Sequence, residues 1–201
     1  MARPKKVDRH EVLARTRNRL LQAAAVEFAQ EGYVGANINR ISLAAGFAKG
    51  TIYNHFPSKR ELMLSLVEQV ASVHIATILE QIESDQSPAQ RLLAFFQVGF
   101  TFVEAHPAEA RSIINAVYGP DPEFRDRVYQ AYEPLFAVIM DDVLGDGVVR
   151  GDFRPLDADL TTALIMTVYL GACSQLDADG RIWLDPQQVA DFVLGGLLPR
   201  P

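Results

Sequence analysis

The chain has 201 residues, 49% hydrophobic and 22% charged, a composition that buries a core without covalent staples and excludes fibrous and disordered classes. Its single cysteine, Cys173, excludes an intrachain disulfide and a thiolate metal cluster, and fits a reducing compartment. The net charge of −6 is uneven: residues 1–60 hold eleven Lys+Arg against four Asp+Glu, residues 61–201 eight Arg against twenty-one acids, so a +7 segment precedes a −13 segment.

The N-terminus MARPKKVDRHEV is basic with no apolar run behind it, so it does not read as a secretory signal, and a cytoplasmic location is expected. Leu20, Ala24 and Phe28 recur four apart beside Leu21 and Ala25, an apolar stripe that predicts a helix over 10–31, stopped at Gly32. A short helix over 38–45 follows, broken by Gly46, then a third short helix to Phe56, ended by Pro57. Ser58 and Glu61 fit a capping box that starts a long helix over 58–83.

Beyond it, Ser87-Pro88, Asp121-Pro122 and Asp185-Pro186 each place a cap residue before a proline at the first helical position. His106-Pro107 ends the helix that holds Phe95, Phe96, Phe100 and Phe102. Pro134 predicts a kink or break within 122–144, Gly145 to Pro155 reads as a glycine-rich loop, and helices over 157–175 and 186–197 close the chain. The most apolar stretch, Leu160 to Cys173, is shorter than the roughly 18–20 residues that span a bilayer, so no membrane partner is expected. The fold class is therefore all-α, about nine helices, with a small basic unit over 1–60 and a larger acidic one over 61–201.

The segment INRISLAAGFAKGTIYNHF (38–56) has the make-up of a helix-turn-helix. Ser42, Ala44 and Ala45 are small enough for two helices to approach, Gly46 takes the turn, and Ile41, Phe47, Ile52 and Phe56 supply an interior. The helical period then turns Gly50, Thr51, Tyr53 and Asn54 outward. Thr51 and Asn54 suit base edges, Tyr53 and His55 suit phosphates, Gly50 permits close approach, and Lys49 and Lys59 bracket the face with charge. The competing reading is a plain helical hairpin inside an all-α enzyme or sensor that binds no duplex. Catalytic motifs give that rival little: there is no G-x-S-x-G elbow, no phosphate-cradling glycine loop and no H-E-x-x-H, and the four histidines are scattered. Asp177-Ala178-Asp179-Gly180 starts like a calcium loop, but its twelfth position is Gln188 where a glutamate is required. No catalytic residue, metal or cofactor is expected.

The run from Arg19 to Leu66, centred on FAQEGYVGANINRISLAAGFAKGTIYNHFPSKRELM, resembles the DNA-binding domain of the TetR family of bacterial transcriptional regulators. Phe28, Gly32-Tyr33, Ile41, Ala44-Ala45-Gly46, Lys49-Gly50-Thr51, Tyr53, His55-Phe56 and Ser58-Lys59 carry the likeness. It covers about a quarter of the chain; the remainder matches only in architecture. The resemblance implies a homodimer on double-stranded, palindromic operator DNA, with a repressor released by a small apolar or aromatic effector. Thr51 and Gly50 would meet bases and backbone, Tyr53, His55 and Lys59 would hold phosphates, and Asn39 would reach a base. Ala36 and Ala48 depart from the family's usual hydroxyl residues; Asn37 can supply the lost helix cap. The arm Arg3-Pro4-Lys5-Lys6 is read as adding only non-specific charge.

The same resemblance assigns the acidic part to effector binding and dimerisation. Candidate dimer residues are Leu160, Leu164, Val168 and Gly171 on one helix and Val189, Phe192, Val193 and Gly196 on the next, against the alternative of an ordinary intrachain core. The effector pocket is expected among helices 88–144, where Phe96, Phe100, Tyr118, Phe124, Tyr129, Tyr132 and Phe136 concentrate. His74, His106 and Arg111 are candidate polar anchors, and the competing reading is that these aromatics fill the core. Effector binding would tilt the helix over 58–83 and change the separation of two recognition helices, which must match half-sites about 34–36 Å apart.

Overall fold

The computed structural model describes residues 9–83, 85–177 and 181–199. Among these the chain is all-α, with a single antiparallel bridge between Leu176 and Ile182. The N-terminal arm, Asp179 and Gly180 lie outside the described residues.

α1 (Arg9–Gly35) carries the expected stripe: Leu20, Leu21, Ala24, Ala25 and Phe28 are all buried. Gly32 breaks it with a positive φ of 66°, a conformation open to glycine at little cost. α2 (Ile38–Ala44) starts at Asn37, whose side-chain oxygen accepts from the backbone N–H groups of Asn39 and Arg40. The expected third helix is one turn of 3-10 helix (Thr51–Asn54), tightened by bonds from Tyr53 N–H to Gly50 O and from His55 N–H to Ile52 O. Pro57 explains its shortness, because the residue before proline is pushed out of helical geometry while Phe56 must stay buried.

α3 (Lys59–Leu79) begins at the Ser58 cap, of which the serine half forms, and ends four residues earlier than expected. Its length and hydropathy suffice to cross a membrane, yet more than half of it is buried against α1, α4, α5 and α6; it is the core helix. α4 (Pro88–Ala105) has the full Ser87/Gln90 capping box, and α5 (Pro107–Tyr118) packs along α1, tied by the Ser112 hydroxyl donating to Ala25 O at 3.0 Å.

Between 122 and 155 the helix does not break at Pro134, and the expected loop is largely helical. α6 (Pro122–Ala137) holds Pro134 without ending; it runs on into a π-helical segment (Val138–Gly145) and then α7 (Asp146–Arg150). The glycine-rich stretch is thus helical to Arg150 and turns only at Gly151. Gly147 is not a hinge: the Phe153 ring lies where its side chain would be. Buried Arg91 fixes the π segment by donating to Asp142 O (2.5 Å), Asp146 Oδ2 (3.3 Å) and Glu83 O (3.2 Å), so one carbonyl of the widened ladder is satisfied from α4. α8 (Ala158–Cys173) and α9 (Pro186–Leu197) start at the Asp157 and Asp185 caps, and Arg154 Nε donates to Gly196 O at the end of α9. One cluster of buried side chains runs from Leu20 to Leu197, continuous across the boundary expected at residue 60.

Candidate nucleic-acid interface and effector cavity

The turn between α2 and the 3-10 segment is built by three local devices. Gly46 takes φ 80° and Gly50 φ 86°, and a side chain at Gly46 would stand 2.6 Å from the Arg19 guanidinium. Buried Ser42 donates to Ala48 O at 2.7 Å, drawing the turn onto α2. Beneath it, Arg19 covers the Phe47 ring and Arg17 the Phe56 ring, at 4.9 and 4.4 Å.

These devices present Asn39, Lys49, Tyr53 and Asn54 at the surface, Tyr53 being 55% exposed, with Gly50, Thr51 and His55 half-buried among them. Two expected contact residues have other engagements. Asn37 spends its side chain on the α2 cap, and its backbone N–H donates to Glu27 Oε1 at 2.7 Å. Lys59 Nζ donates to Val34 O and Ala36 O, both at 3.0 Å, and covers Tyr33; its charge sits on the carbonyl end of α1. Arg15 and Arg40 pair with Glu11, Glu27 and Glu31, acids already counted in the net +7, whereas Arg60 pairs with Asp121 and Glu123 of the acidic part. Sequence reasoning missed Arg17 and Arg19, although both lie in the Arg15-x-Arg17-x-Arg19 run of α1.

A cavity of about 50 Å³ lies between α3, α4, α5, α6 and α8, and an open groove of about 490 Å³ runs between α6 and α8. They share Tyr129, Phe136, Met166 and Leu170 as walls, so the groove leads to the cavity. Of the expected pocket residues, His74, Tyr129, Tyr132 and Phe136 stand here. Phe96 and Phe100 pack on Tyr169 and Phe95 in the core; His106 is exposed and stacks on Phe102; Arg111 and Tyr118 are exposed elsewhere on α5.

His74 lines the cavity wall at 4% exposure, stacked on Phe102 and 3.0 Å from each of the Tyr132 and Tyr169 hydroxyls. Burial, and secondarily the charge of His106, pushes its pKa down to about 4, so it is neutral. Burial raises Tyr169 well above its ordinary value and the Cys173 thiol to about 12, so both stay protonated. On the groove, Thr162 is 7% exposed and its hydroxyl has no partner, unlike Thr161 and Thr167, which bond the carbonyl four residues back.

α6 also reaches the basic unit. At its start, Asp121 Oδ2 accepts from Arg60 Nη2 at 2.8 Å, Glu123 accepts from Nη1, and Phe124 packs edge-on against Tyr33 at 4.6 Å. On the far side, Leu160 and Leu164 of α8 and Phe192 of α9 (77% exposed) stand in solvent with Val168 and Val193 half-buried, and a side chain at Gly171 or Gly196 would meet nothing. Val189, expected on that face, is buried within the chain.

The family described as bacterial regulatory proteins, tetR family, matches residues 20–66. Over 194 residues the chain is 30% identical to the transcriptional repressor KstR2 of Mycobacterium tuberculosis, covering 90% of this chain and 92% of that one. The solved structure of that KstR2 superposes with a TM-score of 0.69 at 27% identity, over 92% and 95% of the two chains. FadR of Bacillus subtilis, solved with stearoyl-CoA, gives 0.76 at 21% identity over 89% and 95%; AibR, solved with isovaleryl coenzyme A and operator DNA, gives 0.73 at 20% over 92% and 100%. The helical fold, the turn geometry of residues 38–56 and the near full-length relationship to a named repressor agree, and the chain belongs to the TetR family of bacterial transcriptional regulators.

Proposed function

We propose that the chain is a ligand-responsive repressor that binds a palindromic operator as a homodimer and is released by a small apolar effector. In this reading residues 1–60 bind DNA through Asn39, Lys49, Gly50, Thr51, Tyr53, Asn54 and His55, with Lys59 bracing α1 beneath them. Residues 61–201 dimerise through the exposed faces of α8 and α9 and take the effector through the groove. Glycines without neighbours on α8 and α9, exposed Leu160 and Leu164 on α8 and exposed Phe192 on α9 support that interface.

The observation that carries the reading is that one helix, α6, belongs to both sites. Its middle lines the cavity and groove through Val128, Tyr129, Tyr132 and Phe136, while its first turn holds Arg60 and Tyr33. An effector that binds better when α6 is displaced lowers operator affinity by the difference in its own affinity for the two states. The relatives solved with acyl thioesters support an apolar chain as the occupant.

Fluorescence anisotropy on duplexes tiled from the DNA upstream of its gene tests this, at several salt concentrations and with a shuffled duplex as control. Selective binding that weakens in salt and in Tyr53→Ala, and that stearoyl-CoA or isovaleryl-CoA reverses, is the expected result. Equal, weak binding to every duplex overturns it in favour of a helical sensor without specific DNA recognition.

A further inference from the structure

The polar protons in the cavity wall outnumber the hydrogen bonds that use them. Tyr132, His74, Tyr169 and Cys173 form one chain of contacts: Tyr132 to His74 Nδ1, His74 Nε2 to Tyr169, and Tyr169 to the Cys173 thiol. All four residues line the cavity. With His74 neutral and the other three protonated, each group carries one polar proton, and three contacts consume three of the four.

One proton is left over in either tautomer of His74. If Nδ1 carries the hydrogen, His74 donates to Tyr132, Tyr169 donates to Nε2, and the Tyr132 hydroxyl is spare. If Nε2 carries it, Tyr132 donates to Nδ1 and the spare proton falls on Tyr169 or Cys173. Apart from the Tyr129 hydroxyl and the weakly accepting Met166 thioether, the rest of the wall (Val70, Val103, Ile113, Val117 and Val128 among others) is hydrocarbon, and none of it carries a cation. A charged group entering there would lose its hydration without a counter-charge. The unpartnered Thr162 hydroxyl adds a second unmet donor on the groove that leads in.

We propose that this site prefers, at the end inserted into the cavity, an uncharged apolar group bearing an acceptor oxygen, a ketone or ester carbonyl, which accepts the spare proton of the Tyr132–His74–Tyr169–Cys173 chain. The inference rests on the effector reading above and narrows it: a plain hydrocarbon tail leaves the donor unmet, and a carboxylate finds no cation.

The test uses the full chain and a matched pair, 2-nonanone and 2-methyl-1-nonene, which exchanges the carbonyl oxygen for a methylene at nearly constant shape, with nonanoate as the anionic arm. Calorimetry is expected to give the ketone roughly five- to tenfold tighter binding than the alkene, the share of one neutral hydrogen bond. Infrared spectra of the ketone labelled at its carbonyl carbon are expected to place the bound band below its position in hexane. In the His74→Leu/Tyr132→Phe/Tyr169→Phe variant the preference is expected to vanish while the alkene still binds. Equal affinities, tighter binding of nonanoate, or an unshifted carbonyl band overturn the inference and leave an apolar effector site standing. Failure of all three probes to bind overturns both.

Discussion

Acidification is expected to weaken the fold through His74, and the sign follows from its burial. In the native chain His74 takes up a proton only near pH 4, whereas in the unfolded chain it does so near its ordinary value of 6.5. Above 6.5 neither state holds that proton and the stability is intact. Between 6.5 and 4 the unfolded chain binds one more proton than the native one, so stability falls as pH falls, at about 1.4 kcal/mol per pH unit. The interval amounts to about 3 kcal/mol, a large part of a typical domain's reserve. The groups facing His74 are the Tyr132 and Tyr169 hydroxyls, the Phe102 ring and, more distantly, His106, whose positive charge opposes a second one on His74. Urea unfolding followed by circular dichroism between about pH 7 and 4.5 reads the slope. Surface carboxylates titrate at the acid end of this window, so the informative quantity is the difference between wild type and His74→Leu. The variant loses stability at pH 7 by stranding two hydroxyls, but its slope is expected to be shallower. Identical slopes would refute a buried, neutral His74.

Three further outcomes are expected. Gly99→Ala places a methyl 2.5 Å from the Tyr169 hydroxyl and 2.7 Å from its ring, against a side chain already packed by Phe95 and Phe100, so overpacking outweighs the helix-propensity gain. A net loss of about 2 kcal/mol, a fall in Tm of roughly 4–8 °C by calorimetry, is expected. Thr162→Val replaces a buried, unpartnered hydroxyl with a methyl, and is expected to raise stability by up to about 1 kcal/mol in urea titration. Glu27→Ala removes the acceptor shared by Asn37 N–H and the Arg40 guanidinium, freeing the start of α2; anisotropy is expected to show several-fold weaker DNA binding with helix content retained.

What was legible in the sequence was local. Asn37, Ser87, Asp121 and Asp185 cap the helices that follow because a cap needs only its own side chain and the next three backbone N–H groups. Gly32 and Gly46 mark their breaks for the same reason. Residues 145–155 misled because glycine has two uses. Composition suggested a flexible loop, whereas Gly147 is small so that Phe153 can pack on a continuing helix, a contact set by tertiary structure. Aromatic content placed the cavity near the correct helices but mixed its wall residues, Tyr129, Tyr132 and Phe136, with core side chains such as Phe96 and Phe100. Phe96 and Phe100 share a buried face of α4 as regularly as Tyr132 and Phe136 share one of α6, and periodicity cannot tell a filled core from the wall of a void. Lys59 looked like a phosphate ligand because its charge was visible and its two carbonyl partners, more than twenty residues back, were not.

The run from α6 through α7 joins these details into one mechanical element. The helix is held at its first turn by Arg60 and Tyr33, and near its far end by Arg91 and the Phe153 ring. Between those anchors lie the groove walls Tyr129, Phe136 and Met140, and the π segment. A regular α-helix of that length would pass axial displacement from end to end. A π segment widens the helix and would be its weak point, but here buried Arg91 holds the Asp142 carbonyl inside it. In the proposed mechanism an occupant of the groove therefore meets a rod whose far end is pinned by buried Arg91 and whose near end is held by the partly exposed Arg60 ion pairs and the Phe124–Tyr33 contact. Exposed ion pairs are the weaker restraint. Displacement accordingly runs toward Arg60 and the start of α3, the end that supports the recognition turn, rather than into α7.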